Sequence, residues 1–295
     1  MNRSNFITPS HPYFPEFFKE LYQIPQRIYC RGNLELLNKT CISIVGTRNH
    51  SSYGEEMTKS IVEDLAIMDI VIVSGLAKGI DAIAHQAALD YGIPTIAVLG
   101  SGIENIYPRE NLELACEIEK KGLIISEFPA DSNPTKLTFP QRNRLVSAIS
   151  IATLVVEAPE KSGALITARF ALEQGKDIFV VPGDVDRENN LGTLRLLQKA
   201  AAYPISSGKD LIEVLSKQPP LFSEKRQSTE ATSLSPHLDS DQKIIFNLIP
   251  KRSHGDLNKI TEKTSLPINK ILAILTSLEI SGLIKIDNGK YHRRC

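Results

Sequence analysis

The stretch Ile70-Val71-Ile72-Val73-Ser74-Gly75-Leu76-Ala77-Lys78-Gly79-Ile80-Asp81 decides the fold. It begins with a short β-branched run, continues through a turn with two glycines, and ends where a segment with helical spacing begins. A strand that leads through a glycine turn into a helix is the repeating unit of a parallel α/β sheet. Residues 70–81 therefore predict a buried strand followed by a crossover helix.

The same pattern recurs through the middle of the chain. Six runs are nearly all apolar, as strands covered on both faces must be: Cys41 to Val45, Ile70 to Ser74, Pro94 to Leu99, Leu123 to Ser126, Ala152 to Glu157 and Asp177 to Val181. Between them lie amphipathic segments long enough to be crossover helices: Glu55 to Met68, Asp81 to Tyr91, Asn111 to Lys121 and Leu165 to Gln174. We predict an α/β fold with a Rossmann-like, mostly parallel sheet.

The rest of the chain divides into three further segments. We expect a short N-terminal extension over residues 1–36, the Rossmann-like domain over 37–215, and a flexible linker rich in Ser, Thr, Pro, Gln and Glu over 216–236. Residues 237–295 contain a strand pair joined at Asp287-Asn288-Gly289 and three helical segments, Asp241 to Ile249, Asp256 to Thr264 and Pro267 to Ser281. Three helices and such a hairpin predict a C-terminal winged helix-turn-helix domain. Its predicted recognition helix, Pro267 to Ser281, has few cations, so DNA reading and protein docking both stay open.

Composition excludes several classes of protein. Over 295 residues, 34 Lys and Arg balance 34 Asp and Glu, so a basic site must be local rather than a property of the whole chain. Four cysteines without CxxC spacing predict reduced thiols rather than a disulfide framework or a metal site. No stretch resembles a signal peptide or a membrane span, so we expect a cytoplasmic protein with no membrane partner.

Four loops follow predicted strands at the carboxyl edge of the sheet, where ligands of open parallel sheets bind. They contain Gly46-Thr47-Arg48, the turn from Ser74 to Asp81, Gly100, and Ser162-Gly163. One glycine turn is explained equally well by turn chemistry, but four on one edge favour a site for phosphate. Lys78 lacks the context of a P-loop and no strict GxGxxG is present, so neither an ATPase nor a dinucleotide oxidoreductase is favoured, and no cofactor is expected.

The segment from Lys136 to Arg144 places three cations, an aromatic ring and an amide in nine residues. Arginine forks pair with phosphate, and Phe139 offers a face on which any base can stack. The alternative is a helix start whose Arg142 and Arg144 pair with carboxylates elsewhere. Glu127, directly after the fourth strand, either orders an arginine or binds a hydroxyl. No catalytic triad is evident, and His85 is expected to be structural, held by its neighbour Asp81.

These motifs resemble the DNA-processing protein A family (DprA, also called Smf). The resemblance rests on Val45 to Arg48, on Ser74 to Asp81 with Ala84-His85, and on Phe139 to Arg144, and it is extended by Ser162 to Ala168 and Val181 to Gly183. It covers Tyr13 to about Ala201. It implies a non-enzymatic protein that binds single-stranded DNA without sequence preference, loads the recombinase RecA in natural transformation, and acts as a homodimer.

The resemblance also assigns site residues. The strand-binding set that it implies is Arg48, Lys136, Phe139, Arg142, Asn143 and Arg144. The residues implied to shape or contact the phosphate path are Gly46, Thr47, Ser74, Gly75, Lys78, Gly100, Ser162 and Gly163.

The chain departs from the family at two places. The helical domain that usually precedes the Rossmann unit is expected to be largely missing ahead of Gly32. Asn190 to Leu194 with Ala200-Ala201 replaces the usual Ser-x-Gly-x-Asn and Gly-Ala, near the expected dimer and RecA surfaces. The alternative function is a nucleoside monophosphate phosphoribohydrolase-like enzyme, which Glu157, Ser162-Gly163 and Thr167 only approximate because two adjacent glycines are absent.

Overall fold

A computed structural model describes residues 5–217, 240–249, 260–261, 263–264, 266–280, 284–287 and 290–293. The chain divides into two compact units, Met1–Leu221 and Phe222–Cys295. The larger unit contains the sheet and the candidate site.

The larger unit is built on one nine-stranded sheet. Its strands are β1 (Asn5–Ile7), β2 (Ile28–Gly32), β3 (Cys41–Val45), β4 (Val71–Ser74), β5 (Thr95–Leu99), β6 (Leu123–Ser126), β7 (Ala152–Val155), β8 (Asp177–Val180) and β9 (Tyr203–Pro204). They lie side by side in the order β1-β2-β6-β5-β4-β3-β7-β8-β9. Within this order, every neighbouring pair in the stretch β6-β5-β4-β3-β7-β8-β9 is parallel. All six predicted strands form, and the expected α/β fold with a mostly parallel sheet is confirmed.

Helices cover both faces of this sheet. They are α1 (Glu16–Lys19), α2 (Ser52–Leu65), α3 (Ile80–Asp90), α4 (Leu112–Lys121), α5 (Thr138–Ala148), α6 (Gly163–Glu173), α7 (Leu191–Gln198) and α8 (Gly208–Lys217). Alternate residues of a strand enter opposite cores: Ile42 and Ile44 pack with α2 and α3, whereas Val45 packs on the side of α5 and α6. Among the described residues, no helix is long and apolar enough to cross a membrane.

The N-terminal segment belongs to the sheet rather than forming a separate extension over residues 1–36. Strand β2 pairs antiparallel with β6 and with β1. Phe14, Phe18 and Ile28 are buried in the same core as Val71 and Val73 of the central strands. The predicted boundary before residue 37 is therefore wrong. The physical reason is that β6 would otherwise present an unpaired apolar edge, which β2 covers.

The smaller unit is described in part. It contains α9 (Ser240–Leu248), α10 (Ile268–Ile280) and an antiparallel pair of β10 (Ile284–Asp287) and β11 (Lys290–Arg293). The register of this pair places Asp287 opposite Lys290. Most of the predicted helix from Asp256 to Thr264, and residues 218–236 of the predicted linker, lie outside the described residues. The winged helix-turn-helix assignment stays a prediction.

Candidate nucleic-acid interface

A cleft of about 620 Å³ opens at the carboxyl ends of β3, β4 and β7. The loop after β3, the turn after β4, the start of α5 and the N-terminus of α6 form its walls. The cleft brings together most of the predicted site residues: Gly46, Thr47, Arg48, Gly75, Lys136, Phe139, Arg142, Asn143, Ser162 and Gly163. The carboxyl edge predicted from the loops is thus a continuous surface. Four predicted residues, Ser74, Lys78, Gly100 and Arg144, lie outside its lining.

Phe139 is the aromatic centre of the cleft wall. The guanidinium carbon of the exposed Arg48 lies 5.2 Å from the centroid of the Phe139 ring, within the range of a cation–π contact. The Tyr107 ring, 45% exposed, lies 5.7 Å from the same ring at an angle of 45°. Gly100 lies beneath Phe139, because a Cβ at Gly100 would stand 2.6 Å from Phe139 Cδ1. Gly100 therefore makes room for the ring rather than contacting a ligand.

Arg142 belongs to the floor of the cleft. Its side chain is buried, and its Nη1 donates to the carbonyl oxygens of Gly75 and Val98. Its Nε donates to Asn143 Oδ1 at 3.1 Å. A buried guanidinium needs such partners, since an unpaired buried donor is costly. The geometry gives Arg142 a scaffold role and does not support the predicted contact with a bound strand.

Asp81 supplies the charge that accompanies Arg142. Its carboxylate is buried at the start of α3. It accepts hydrogen bonds from the backbone amides of Gly75 at 3.1 Å and Ala77 at 3.4 Å. Burial raises the pKa of the Asp81 carboxyl, while the Arg142 guanidinium and the two amides oppose that shift. Burial likewise lowers the pKa of Arg142 to about 10, with Asp81 opposing it. Arg142 therefore keeps its charge at neutral pH and organises the turn after β4.

Asn143 and Arg144 have different surroundings although they are neighbours in α5. Asn143 Nδ2 donates to the Gly163 carbonyl at 3.1 Å and so ties α5 to the start of α6. Arg144 follows Arg142 by two residues, about 200° around the helix, and points away from the cleft. Its Nη2 donates to both oxygens of Glu127. The alternative prediction, an arginine paired with a carboxylate, is confirmed for Arg144, and its predicted place in the strand-binding set is not supported.

Two other predicted phosphate residues lie outside the cleft. Ser74 is fully buried, and its hydroxyl donates to the Ile44 carbonyl at 2.6 Å, so it joins β4 to β3. Lys78 is exposed but lies 2.7 Å from Glu110, in a small neighbouring pocket that it shares with Arg48. Ser74 is thus a structural residue, and the charge of Lys78 is partly offset.

Free positive charge in the cleft comes from three exposed side chains, Arg48, Lys136 and Lys161. Asp81 is the sole carboxylate among the described residues that line the cleft, and it is buried. The cleft is therefore positive although the chain as a whole is neutral. Lys161 and Tyr107 were not predicted; the position of Lys161 directly before Ser162-Gly163 was the available signal.

The N-terminus of α6 opens into the cleft and favours anions. Ser162 caps this helix by accepting the Ala164 amide at 3.2 Å. A Cβ at Gly163 would meet no atom within 4 Å, so the backbone there is open to close approach. Thr47 is buried, its Oγ1 accepting the Asn49 amide at 3.2 Å, and it shapes the opposite wall.

The hydrolase alternative is not favoured by the surroundings of Glu157 and His85. The buried Glu157 carboxylate accepts the Ser51 amide at 2.9 Å and the Ser51 hydroxyl at 2.5 Å, which orders the start of α2. His85 is buried with Nδ1 2.7 Å from Thr95 Oγ1. The predicted pairing of His85 with Asp81 is wrong, because the Asp81 carboxylate accepts hydrogen bonds from the backbone amides of Gly75 and Ala77. Burial lowers the pKa of His85 to about 3, as expected of a structural imidazole.

Comparison with known proteins places these observations in a family. The family model described as DNA recombination-mediator protein A matches residues 5–216. DNA processing protein DprA of Bacillus subtilis is 41% identical over 212 residues, which cover 72% of this chain and 71% of that protein.

Two solved structures of DNA processing protein A resemble this chain. DNA processing protein A from Streptococcus pneumoniae matches with a TM-score of 0.69 and 35% identity over 72% of this chain and 74% of that one. DNA processing protein A from Helicobacter pylori, a structure described for its single-stranded DNA binding mode, matches with a TM-score of 0.66 and 36% identity over 72% of this chain and 96% of that one.

Proposed function

The chain belongs to the DNA recombination-mediator protein A family, and from that premise we propose that its cleft binds single-stranded DNA without sequence preference. The observation that carries the proposal is the grouping of Arg48, Lys136 and Lys161 around the Phe139 ring. The single-stranded DNA binding of the Helicobacter pylori relative supports it.

Each part of the cleft has a role in this proposal. The exposed cations neutralise phosphates and release counterions, which makes binding depend on salt. Phe139, with Arg48 and Tyr107 beside it, offers a stacking surface to a base of any identity. Asn143, the amide predicted to bond backbone or base, donates instead to the Gly163 carbonyl. Affinity from stacking and phosphate contacts, without readout of base edges, makes binding tolerant of sequence.

We also propose that the protein performs no covalent chemistry and acts in the cytoplasm as a homodimer that loads RecA onto DNA during natural transformation. Family membership and the motif resemblance support this role. The engagement of Glu157 in ordering the start of α2 agrees with a protein that holds DNA rather than cleaving a nucleotide.

The binding proposal is tested by the anisotropy of a fluorescent oligo-dT titrated with the full chain over a salt series. Wild type should bind oligo-dT and a mixed-sequence strand alike, and a duplex more weakly. Lys136→Ala should weaken binding with a shallower salt dependence, whereas Lys120→Ala, an exposed lysine on α4, serves as the matched control. Wild type that does not bind the single strand would overturn the proposal.

The mediator role has its own test. RecA filament formation on a single strand should start faster with wild type than with Lys136→Ala at equal concentration. Sedimentation of the free protein should show a dimer. A RecA rate that is the same with and without the protein would remove the loading role and leave the DNA-binding proposal standing.

A further inference from the structure

A second cavity, of about 780 Å³, borders the outer side of α5 and α6. Pro140, Arg144 and Ala148, spaced at four-residue intervals on one face of α5, form one wall. The segment from Phe17 to Gln23 forms another. Pro140 also lines the cleft, so the two cavities share a rim. The function proposed above makes no use of this second cavity.

The two cations that line the second cavity, Arg144 and Lys176, already have partners. Arg144 pairs with Glu127. Lys176 Nζ lies 4.2 Å from the Phe17 ring centroid and donates to carbonyl oxygens at the end of α5, those of Ser147, Ala148 and Ser150. Two carboxylates, Glu20 and Glu173, also line the space. The cavity therefore disfavours a phosphate and suits an uncharged group.

Two side chains offer unused hydrogen-bonding atoms there. Within the described part of the chain, Arg144 Nε and Nη1 and Gln174 Oε1 are buried without a hydrogen-bond partner. The Gln174 amide nitrogen donates to the Arg144 carbonyl at 3.1 Å, which orients the amide group. Because Arg144 and Gln174 line the cavity, two unpaired donor nitrogens and one unpaired acceptor lie in its wall, covered by neighbouring atoms. A small side-chain shift that pairs them with a ligand would remove the penalty of leaving buried polar groups unsatisfied.

The remaining walls are apolar or aromatic. Phe17, Leu21 and Phe170 line the cavity, and Tyr22 is 99% exposed at its border. A ligand that fits is a flat, uncharged ring whose edge carries both acceptors and a donor. Nucleobases have such an edge, with carbonyl oxygens beside an N–H in thymine, whereas a phenyl ring has none. We propose that this cavity receives a nucleobase.

The shared rim indicates the source of the base. A strand held in the cleft that continues past Pro140 reaches the second cavity, where Glu20 and Glu173 would keep its phosphates outside while a base enters. This part of the inference rests on the proposed function. A free nucleotide offers the same base, and the experiment distinguishes the two sources.

The first measurement is a length series of oligo-dT with wild type, Tyr22→Ala and Gln174→Leu. Loss of one stacked base lowers affinity by about tenfold. We expect that loss for long strands, whereas strands short enough to fill only the cleft bind as in wild type. Tyr91→Ala, an exposed tyrosine at the end of α3, is the matched control. If both cavity variants match wild type at every length, entry of a base from the strand is overturned.

The second measurement uses the absence of tryptophan from the chain. Tyr22→Trp places a single emitter at the cavity, and its emission should fall when long oligo-dT binds, with the midpoint shifted to higher DNA concentration in the Arg48→Ala background. Quenching by thymidine monophosphate that is unaffected by Arg48→Ala would identify a free nucleotide as the source. No quenching by either probe overturns the proposal. If wild type binds no oligo-dT, the proposed function fails, and the monophosphate titration alone decides whether the cavity takes a base.

Discussion

The Arg142 guanidinium occupies the space that a side chain at Gly75 would need: a Cβ on Gly75 would lie 2.4 Å from Arg142 Nη2. Glycine is therefore required after β4 because a cation from α5 approaches the backbone there. The same guanidinium donates to the Gly75 carbonyl and is accompanied by the buried Asp81. The floor of the cleft is thus built before any ligand binds.

Arg142→Ala should lower the free energy of unfolding by about 3–5 kcal/mol, because it leaves Asp81 buried without its cation. Urea unfolding followed by circular dichroism measures the change. Asp81→Asn combined with Arg142→Ala should recover part of the loss, since it removes the unpaired charge. A variant with wild-type stability and impaired DNA binding would instead show that Arg142 is a ligand contact.

Arg48 and Phe139 should act as one unit in binding oligo-dT. Their side chains are in cation–π contact, so the loss in the double variant Arg48→Ala/Phe139→Ala should be smaller than the sum of the single losses. Arg48→Ala should also reduce the slope of log affinity against log salt by about 0.7, and Phe139→Ala should leave it nearly unchanged. Anisotropy over a salt series gives both quantities. Strictly additive losses would mean that the two side chains contact DNA independently.

Gly100→Ala should weaken oligo-dT binding by about tenfold, similar to removal of the stacking ring. The added methyl group would collide with Phe139 Cδ1 and push the ring from its position beside Arg48. Gly163→Ala is the contrast, because its methyl group meets no protein atom. The melting temperature of Gly163→Ala should equal that of wild type, so any loss of affinity there reports crowding of a bound phosphate. Unchanged binding by Gly100→Ala would remove Phe139 from the stacking role.

Lys161 should be a phosphate contact although sequence reasoning did not select it. It is exposed and lines the cleft beside the N-terminus of α6. Lys161→Ala should lower the salt slope by about 0.7 without lowering thermal stability. Lys120→Ala on α4 should change neither the salt slope nor the thermal stability. A Lys161→Ala slope equal to that of wild type would place the strand away from this wall.

Stability should fall in mild acid because of His85. Its pKa is lowered from 6.5 to about 3 by burial, so below pH 6.5 the unfolded chain binds a proton that the folded chain does not. The free energy of unfolding should therefore decrease by about 1.4 kcal/mol per pH unit between about pH 6 and pH 4. In His85→Gln, this acid-dependent decrease in the free energy of unfolding should be absent. Urea unfolding of both proteins at several pH values isolates it, since contributions from other groups cancel in the difference; identical pH profiles would contradict it.

The central strands and the edge at which the candidate site lies could be predicted from sequence because both are local features. A parallel strand buried on two faces is an unbroken apolar run, as in Cys41–Val45, and a glycine turn follows it directly. Strands β1, β2 and β9 were missed because they are short edge or antiparallel strands without that pattern. The role of β2 depends on its pairing with β6, about ninety residues away, which no local pattern of residues 28–32 contains.

The sequence by itself determined the α/β fold, the edge of the sheet at which the candidate site lies, and the grouping of cations and an aromatic ring in residues 136–144. The tertiary structure decided which of those cations meet the cleft: Lys136 is exposed there, Arg142 is buried beneath it, and Arg144 faces a second cavity. The physical reason is that a guanidinium is a donor wherever it lies. Whether its partner is a DNA phosphate, a backbone carbonyl or Glu127 depends on the phase of the helix and on loops distant in sequence.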